Sequence, residues 1–115
     1  MSGLSAGQGA DATALDLAYE PLPAASVVSG APSTASMPLA TVGEIEVGVW
    51  EMTPGIATDT EADEVFVVIS GRATIRFLSP VLPPLEVGPG SVVRLAEGMQ
   101  TEWTVTETLR KVYSA

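Results

Sequence analysis

The chain has 115 residues, 14 acidic and 5 basic side chains, and neither His nor Cys. That length fits one domain, and 46% hydrophobic with 17% charged residues is a globular composition. Disulfides, thiolate or imidazole metal ligands and a Ser-His-Asp triad are all excluded, and a net charge of −9 argues against nucleic acid or an anionic membrane as partner.

The first twenty residues hold no Lys or Arg and no compact apolar run, so no secretory signal is expected. A cytoplasmic, soluble protein is the default expectation. Residues 1–23 are rich in Gly, Ala and Ser and read as a flexible or loosely packed N-terminal segment. One short helix fits around Ala12–Ala18, and Pro21 and Pro23 forbid its extension. Residues 24–115 read as the folded domain.

From Val42 onward the pattern is that of strands. Glu44–Val49 alternates polar and apolar residues, and Thr53-Pro54-Gly55 is a turn. Glu64–Ser70 and Arg72–Phe77 read as a hairpin about Gly71. Ser79–Pro84 is a Pro-rich connection unsuited to a central strand. Gly88-Pro89-Gly90 is a tight turn before Ser91–Leu95, and Thr101–Thr106 and Thr108–Tyr113 read as two further strands. Many short strands punctuated by turns indicate an all-β sandwich, jelly roll or barrel.

Residues two apart on a strand share a face. Glu64, Phe66 and Val68 therefore line one face, Thr101, Trp103 and Val105 another, and Lys111 shares its face with Leu109 and Tyr113. Alternation also sends Asp59, Glu61 and Asp63 to one side and Glu64 to the other. Trp50 falls opposite Ile45, Val47 and Val49, which suits a sheet cover or a dimer contact. All five cations follow Gly71, and ten of the fourteen acids precede it; a solvated acidic face is the first reading of this, and attraction between the two parts on packing or across a second copy is the other.

The run Asp63-Glu64-Val65-Phe66-Val67-Val68-Ile69-Ser70-Gly71 resembles the end of the first cupin motif. Gly90, five residues, then Ala96-Glu97-Gly98 resembles the start of the second, with Ala replacing Pro. With Gly48–Gly55 upstream and Leu109–Tyr113 downstream, the chain is similar to small single-domain cupins. Among these are the cupin domain of ureidoglycine aminohydrolases and an ethanolamine-utilisation cupin. The resemblance covers about residues 26–114. It implies a cupin jelly-roll barrel of two packed antiparallel sheets, with the faces of Glu64 and Trp103 turned inward.

It also implies a departure. The positions of the family's metal-binding His residues fall on Thr101 and on Ala57 and Asp59, or Thr58 and Thr60. Only Glu64 keeps its ligand type. No transition metal and no cofactor are expected, because one carboxylate and one hydroxyl do not replace three imidazoles. A hard cation on Asp59, Glu61, Asp63 and Glu64 is the weaker option beside a solvated acidic loop.

The reading is a barrel that binds a small polar metabolite, with Phe66, Thr101, Trp103 and Tyr113 as ligand contacts. The alternatives are an amide hydrolase or isomerase using Glu64 and Lys111 as acid and base, and a non-catalytic protein with a filled barrel. A homodimer is expected, with Ala24–Val28 and Met37–Val42 as candidate cover. An inward Glu64 without a metal needs a counter-ion. Arg72, Arg76 and Arg94 aim outward by alternation, one of Arg110 and Lys111 must turn inward, and the resemblance favours Lys111, within about 6 Å of Glu64.

Overall fold

The computed structural model describes residues 3–115. Nine strands follow in order: β1 (Glu20–Pro21), β2 (Val27–Ser29), β3 (Ser33–Val42), β4 (Ile45–Met52), β5 (Gly55–Thr60), β6 (Glu64–Ser79), β7 (Val81–Val87), β8 (Val92–Leu95) and β9 (Gln100–Ser114). The helical content of the described residues is one 3-10 turn, Ala24–Ser26. None of their helices is long and apolar enough to cross a membrane.

β6 and β9 organise the rest. They pair antiparallel along their whole length, from Val65 opposite Ser114 to Ser79 opposite Gln100. Halfway along, the register slips repeatedly between Val68 and Ala73, and both strands bend there. On one side of the bend the strand order is β1-β3-β4-β9-β6-β8, and on the other it is β2-β5-β9-β6-β7. The two long strands thus belong to both halves, and the curled sheet closes on itself as a jelly roll.

This corrects two sequence expectations. Glu64–Phe77 is no hairpin and Thr101–Tyr113 is no pair of strands; each is one continuous strand. Gly71 has the positive φ expected of it, +88°, but uses it for a bulge. A Cβ at this position would collide with the Thr108 carbonyl and the Leu109 Cα. The glycine is therefore required by close approach of the partner strand, not by chain reversal.

Other differences have equally local causes. β3 and β5 carry Ser, Thr, Ala and Asp, so their composition hides them, and backbone pairing with β4 and β9 holds them. β7 contains Pro83 and Pro84 but pairs with β6 alone, so its other edge needs no donor. No helix forms over 12–18. Asp11 instead caps a turn, accepting from the amide and hydroxyl of Thr13 at 2.9 and 2.6 Å.

Arg110 then takes the Ala12 and Leu15 carbonyls, each at 2.8 Å. Its Nε donates to Glu51 at 2.7 Å, on the strand it faces in register. The N-terminal segment so lies over the outer face of β4 and β9. Inside, Phe66, Val68, Ile75, Leu95, Trp103 and Leu109 form the core between the two halves. Each such side chain contributes about 1.5–3 kcal/mol of burial.

Candidate functional site

Cross-strand register brings the inward side chains together. Trp50 of β4 and Val68 of β6 both pair with Lys111 of β9. Phe66 and Gly48 both pair with Tyr113, and Ala57 and Ile75 both pair with Trp103. Trp103 comes from the other half of the fold, so it closes over the first group. Its ring centroid lies 5.6 Å from Trp50 and 5.7 Å from Phe66. Trp50 is thus an inner wall, not the surface cover expected from alternation. Val49, on the opposite face of β4, is the side chain buried against the outside.

Lys111 enters this aromatic nest and is 5% exposed. Its Nζ lies 4.2 Å from the Phe66 centroid, 4.6 Å from Trp50 and 5.0 Å from Trp103. It donates a 2.7 Å hydrogen bond to Glu64 Oε2, well inside the expected approach. Ring faces and a carboxylate together replace the water an ammonium loses on burial. Arg72, Arg76 and Arg94 point outward, with side chains at least 60% exposed.

Glu61, read from the sequence as part of a solvated acidic loop with a hard-cation site as the weaker option, is instead buried in the site. β5 ends at Thr60, so strict alternation does not carry through residues 61–63. The Glu61 amide donates to the Met99 carbonyl at 2.8 Å, and its own carbonyl accepts from Gly98 at 2.9 Å. This anchors the loop and folds the side chain inward. Glu61 Oε2 accepts from Thr101 Oγ1 at 2.6 Å and Trp103 Nε1 at 3.0 Å. Asp63 leaves for the surface, where it takes the Glu97 amide at 3.1 Å and Arg94 at 3.4 Å. Asp59, Glu61 and Glu64 therefore face one cavity, and Asp63 does not, contrary to the alternation expected. The usable signal was the cupin resemblance, one of whose two alternative spacings sets Asp59 at a ligand position.

The cavity measures about 440 Å³. Trp50, Met52, Trp103 and Tyr113 wall it, Asp59, Glu61, Glu64 and Lys111 give it charge, and Leu22, Pro23 and Ser26 form part of its rim. Of the expected contacts, Trp103 and Tyr113 line it. Phe66 sits behind the ammonium, and Thr101 serves from behind by holding Glu61. Burial pushes the Glu61 carboxyl up against the pull of its Thr101 hydrogen bond, and the nearby Asp59 charge adds to the rise. Asp59 stands more openly, yet the protein around it also raises its carboxyl, and the Thr60 amide and Lys111 oppose the rise. The Tyr113 hydroxyl is pushed up to about 12 by burial and by its 2.7 Å bond to Glu46.

This donor set does not fit the metal of the cupin fold. Glu64, the retained ligand type, is engaged by an ammonium, and Thr101 gives its hydroxyl proton to Glu61. The remaining donors near it, Asp59 and Glu61, are carboxylates and supply none of the imidazole nitrogens on which a transition-metal site of this kind depends. Among the described residues no three His, Cys, Asp or Glu side chains are grouped to hold a metal.

Comparison with solved structures supports the architecture. A protein of unknown function from Pseudomonas syringae superposes with a TM-score of 0.74 at 28% identity, over 90% of this chain and 45% of that one. The chain thus spans less than half the length of that relative. The EutQ protein of Clostridium difficile matches with a TM-score of 0.61 at 21% identity, over 72% of this chain and 67% of its own. A protein of unknown function from Acidithiobacillus ferrooxidans gives 0.63 at 22% identity, over 98% of this chain and 100% of that one. No curated protein matches. The family model for the EutQ-like cupin domain covers residues 39–113, from the middle of β3 to the cavity end of β9, and the chain belongs to that family.

Proposed function

We propose that this cupin binds a small polar metabolite inside its barrel. The observation that carries the reading is the cavity of about 440 Å³, with two tryptophan walls and charged groups converging from β5, β6, β9 and the β5–β6 loop. Small-molecule sites have this size and this mixture of apolar wall and few placed polar groups. A barrel that served only as a packed support would have no reason to keep Glu61 and Lys111 in its interior, since apolar residues of similar volume cost less there.

The chain has two tryptophans, and both line the cavity, so intrinsic fluorescence reports occupancy directly. A metabolite panel should yield a compound that changes this fluorescence saturably and raises Tm. Ser36→Phe, at a cavity-lining position cross-strand from Trp50, should block that response without lowering Tm. A panel with no saturable response, or responses unchanged in Ser36→Phe, refutes the reading.

A catalytic reading rests on one specific feature, the raised carboxyl of Glu61 at the cavity. A carboxylic acid shifted toward neutral pH is suited to proton transfer. Amide hydrolysis or isomerisation of the bound metabolite would then use Glu61 as the proton-transfer group, because Glu64 and Lys111 are bonded to each other. Turnover that survives Glu61→Gln refutes that assignment.

A further inference from the structure

All five cationic side chains of the protein are committed within the chain. Arg72 pairs with Glu107, Arg76 with Glu102, Arg94 with Asp63, Arg110 with Glu51 and Lys111 with Glu64. The cavity holds two more carboxylates, Asp59 and Glu61, and among the described residues no cation faces them except the one Glu64 already neutralises.

Glu61 is 7% exposed, and the side-chain donors it meets both end on Oε2. Its Oε1 has no donor among the described residues. Every fully buried side-chain polar atom among them has a partner, so Oε1 opens on the cavity. Asp59 lines the same cavity, near enough for its charge to act on Glu61. The apolar and aromatic part of the same lining is Trp50, Met52, Ala57, Trp103 and Tyr113, with hydroxyls of Ser26, Thr34, Ser36 and Thr58 between.

From this arrangement we infer that the metabolite is a small ammonium-bearing compound, a primary amine with a short apolar body, whose NH3+ group bonds Glu61 Oε1 and the Asp59 carboxylate. The inference rests on the barrel-binding reading and names the ligand class for it. An ammonium carries three donors and can satisfy both carboxylates at once. The short carbon chain then lies against Trp50 and Met52, whose surfaces favour an apolar or weakly hydrated group. An anionic ligand would face two carboxylates against one neutralised Lys, and a neutral ligand would leave the buried Glu61 charge uncompensated. The raised carboxyls of Asp59 and Glu61 agree with this: burial resists their ionisation, and an ammonium beside them would favour it.

The test uses four matched probes on the full chain: propylamine, propanol, propionamide and propionate, titrated at pH 7.5 and constant ionic strength with tryptophan fluorescence and calorimetry as readouts. Propylamine should bind at least about tenfold more tightly than the other three, the scale of one charge-assisted hydrogen bond. Asp59→Asn and Glu61→Gln should each weaken it by about tenfold or more and leave propanol unchanged. Propanol, propionamide or propionate binding as well as propylamine overturns the ligand class and leaves the barrel-binding reading standing. Silence from all four probes and from the wider metabolite panel overturns both. The ranking in the unaltered protein decides the matter even where a variant fails to fold.

Discussion

Replacing Lys111 by Met tests the centre of the site. The thioether keeps the length and apolar stem of lysine, so the perturbation is the loss of one charge 2.7 Å from Glu64 and 4.2–5.0 Å from three rings. Breaking a buried pair on one side costs about 3–5 kcal/mol, because the remaining charge is stranded. A sulfur against aromatic rings reduces this by about 0.3–1.5 kcal/mol. The expected loss is therefore about 3 kcal/mol at pH 7, or roughly 10–15 °C in Tm for a chain of this size. Glu64→Gln combined with Lys111→Met should recover about 2 kcal/mol relative to the sum of the single changes. Urea unfolding followed by tryptophan fluorescence measures all of this. A Lys111→Met loss below about 1 kcal/mol at pH 7, or additive single variants, would refute the reasoning.

Glu61→Gln keeps an acceptor for Thr101 and Trp103 but removes the charge. A carboxyl raised in the folded state binds its proton more tightly there, so stability falls as pH climbs from about 4 through the raised value. The variant should match the parent near pH 4 and exceed its Tm at pH 7; a lower Tm at pH 7 refutes this. Gly71→Ala should cost about 2–5 kcal/mol, from left-handed backbone strain and contact with Thr108, and denaturation measures it. Arg110→Met should strand Glu51 and release residues 11–17, seen as faster hydrogen exchange confined to that segment and a stability loss of about 3 kcal/mol. For assembly we propose a homodimer through the edge of β3, where Val42 and the neighbouring Ile45 stay exposed. Light scattering that shows monomer alone at micromolar concentration counts against it.

How far the sequence reached depended on the range of the forces involved. Inward alternation held wherever a strand was regular, so Glu64, Phe66 and Val68, and Thr101, Trp103 and Val105, sit on the faces assigned to them. It failed at Gly71, where a glycine signals a positive φ and cannot say whether the chain turns or bulges. That choice is made by β9, some forty residues away in the chain. It failed again at Glu61, where the strand ends and the side-chain direction is set by two hydrogen bonds to the β8–β9 turn. β3 was missed for a third reason. Its Ser, Thr and Ala side chains carry little pattern, and backbone pairing to β4 defines it. The pairing of Lys111 with Glu64 was readable because the cupin resemblance turned Glu64 inward and favoured Lys111 over Arg110, and a buried carboxylate needs a counter-ion.

That same scarcity explains the uneven charge of the chain. Three ion pairs join an acid before Gly71 to a cation after it: Asp63 with Arg94, Glu51 with Arg110, and Glu64 with Lys111. Two of these are buried, and they use adjacent residues of β9 that point to opposite faces. Arg110 binds the N-terminal segment outside, and Lys111 sets the charge inside. The first part of the chain carries more acids than the second can match, and Asp59 and Glu61 are the surplus that ends up at the cavity. A protein selected for stability alone would lose that surplus, since an amide at either position keeps the hydrogen bonds and removes the repulsion. Local rules broken without repair inside the chain mark the place where repair comes from outside it. The surplus carboxylates are therefore best explained by a partner that brings positive charge into the barrel.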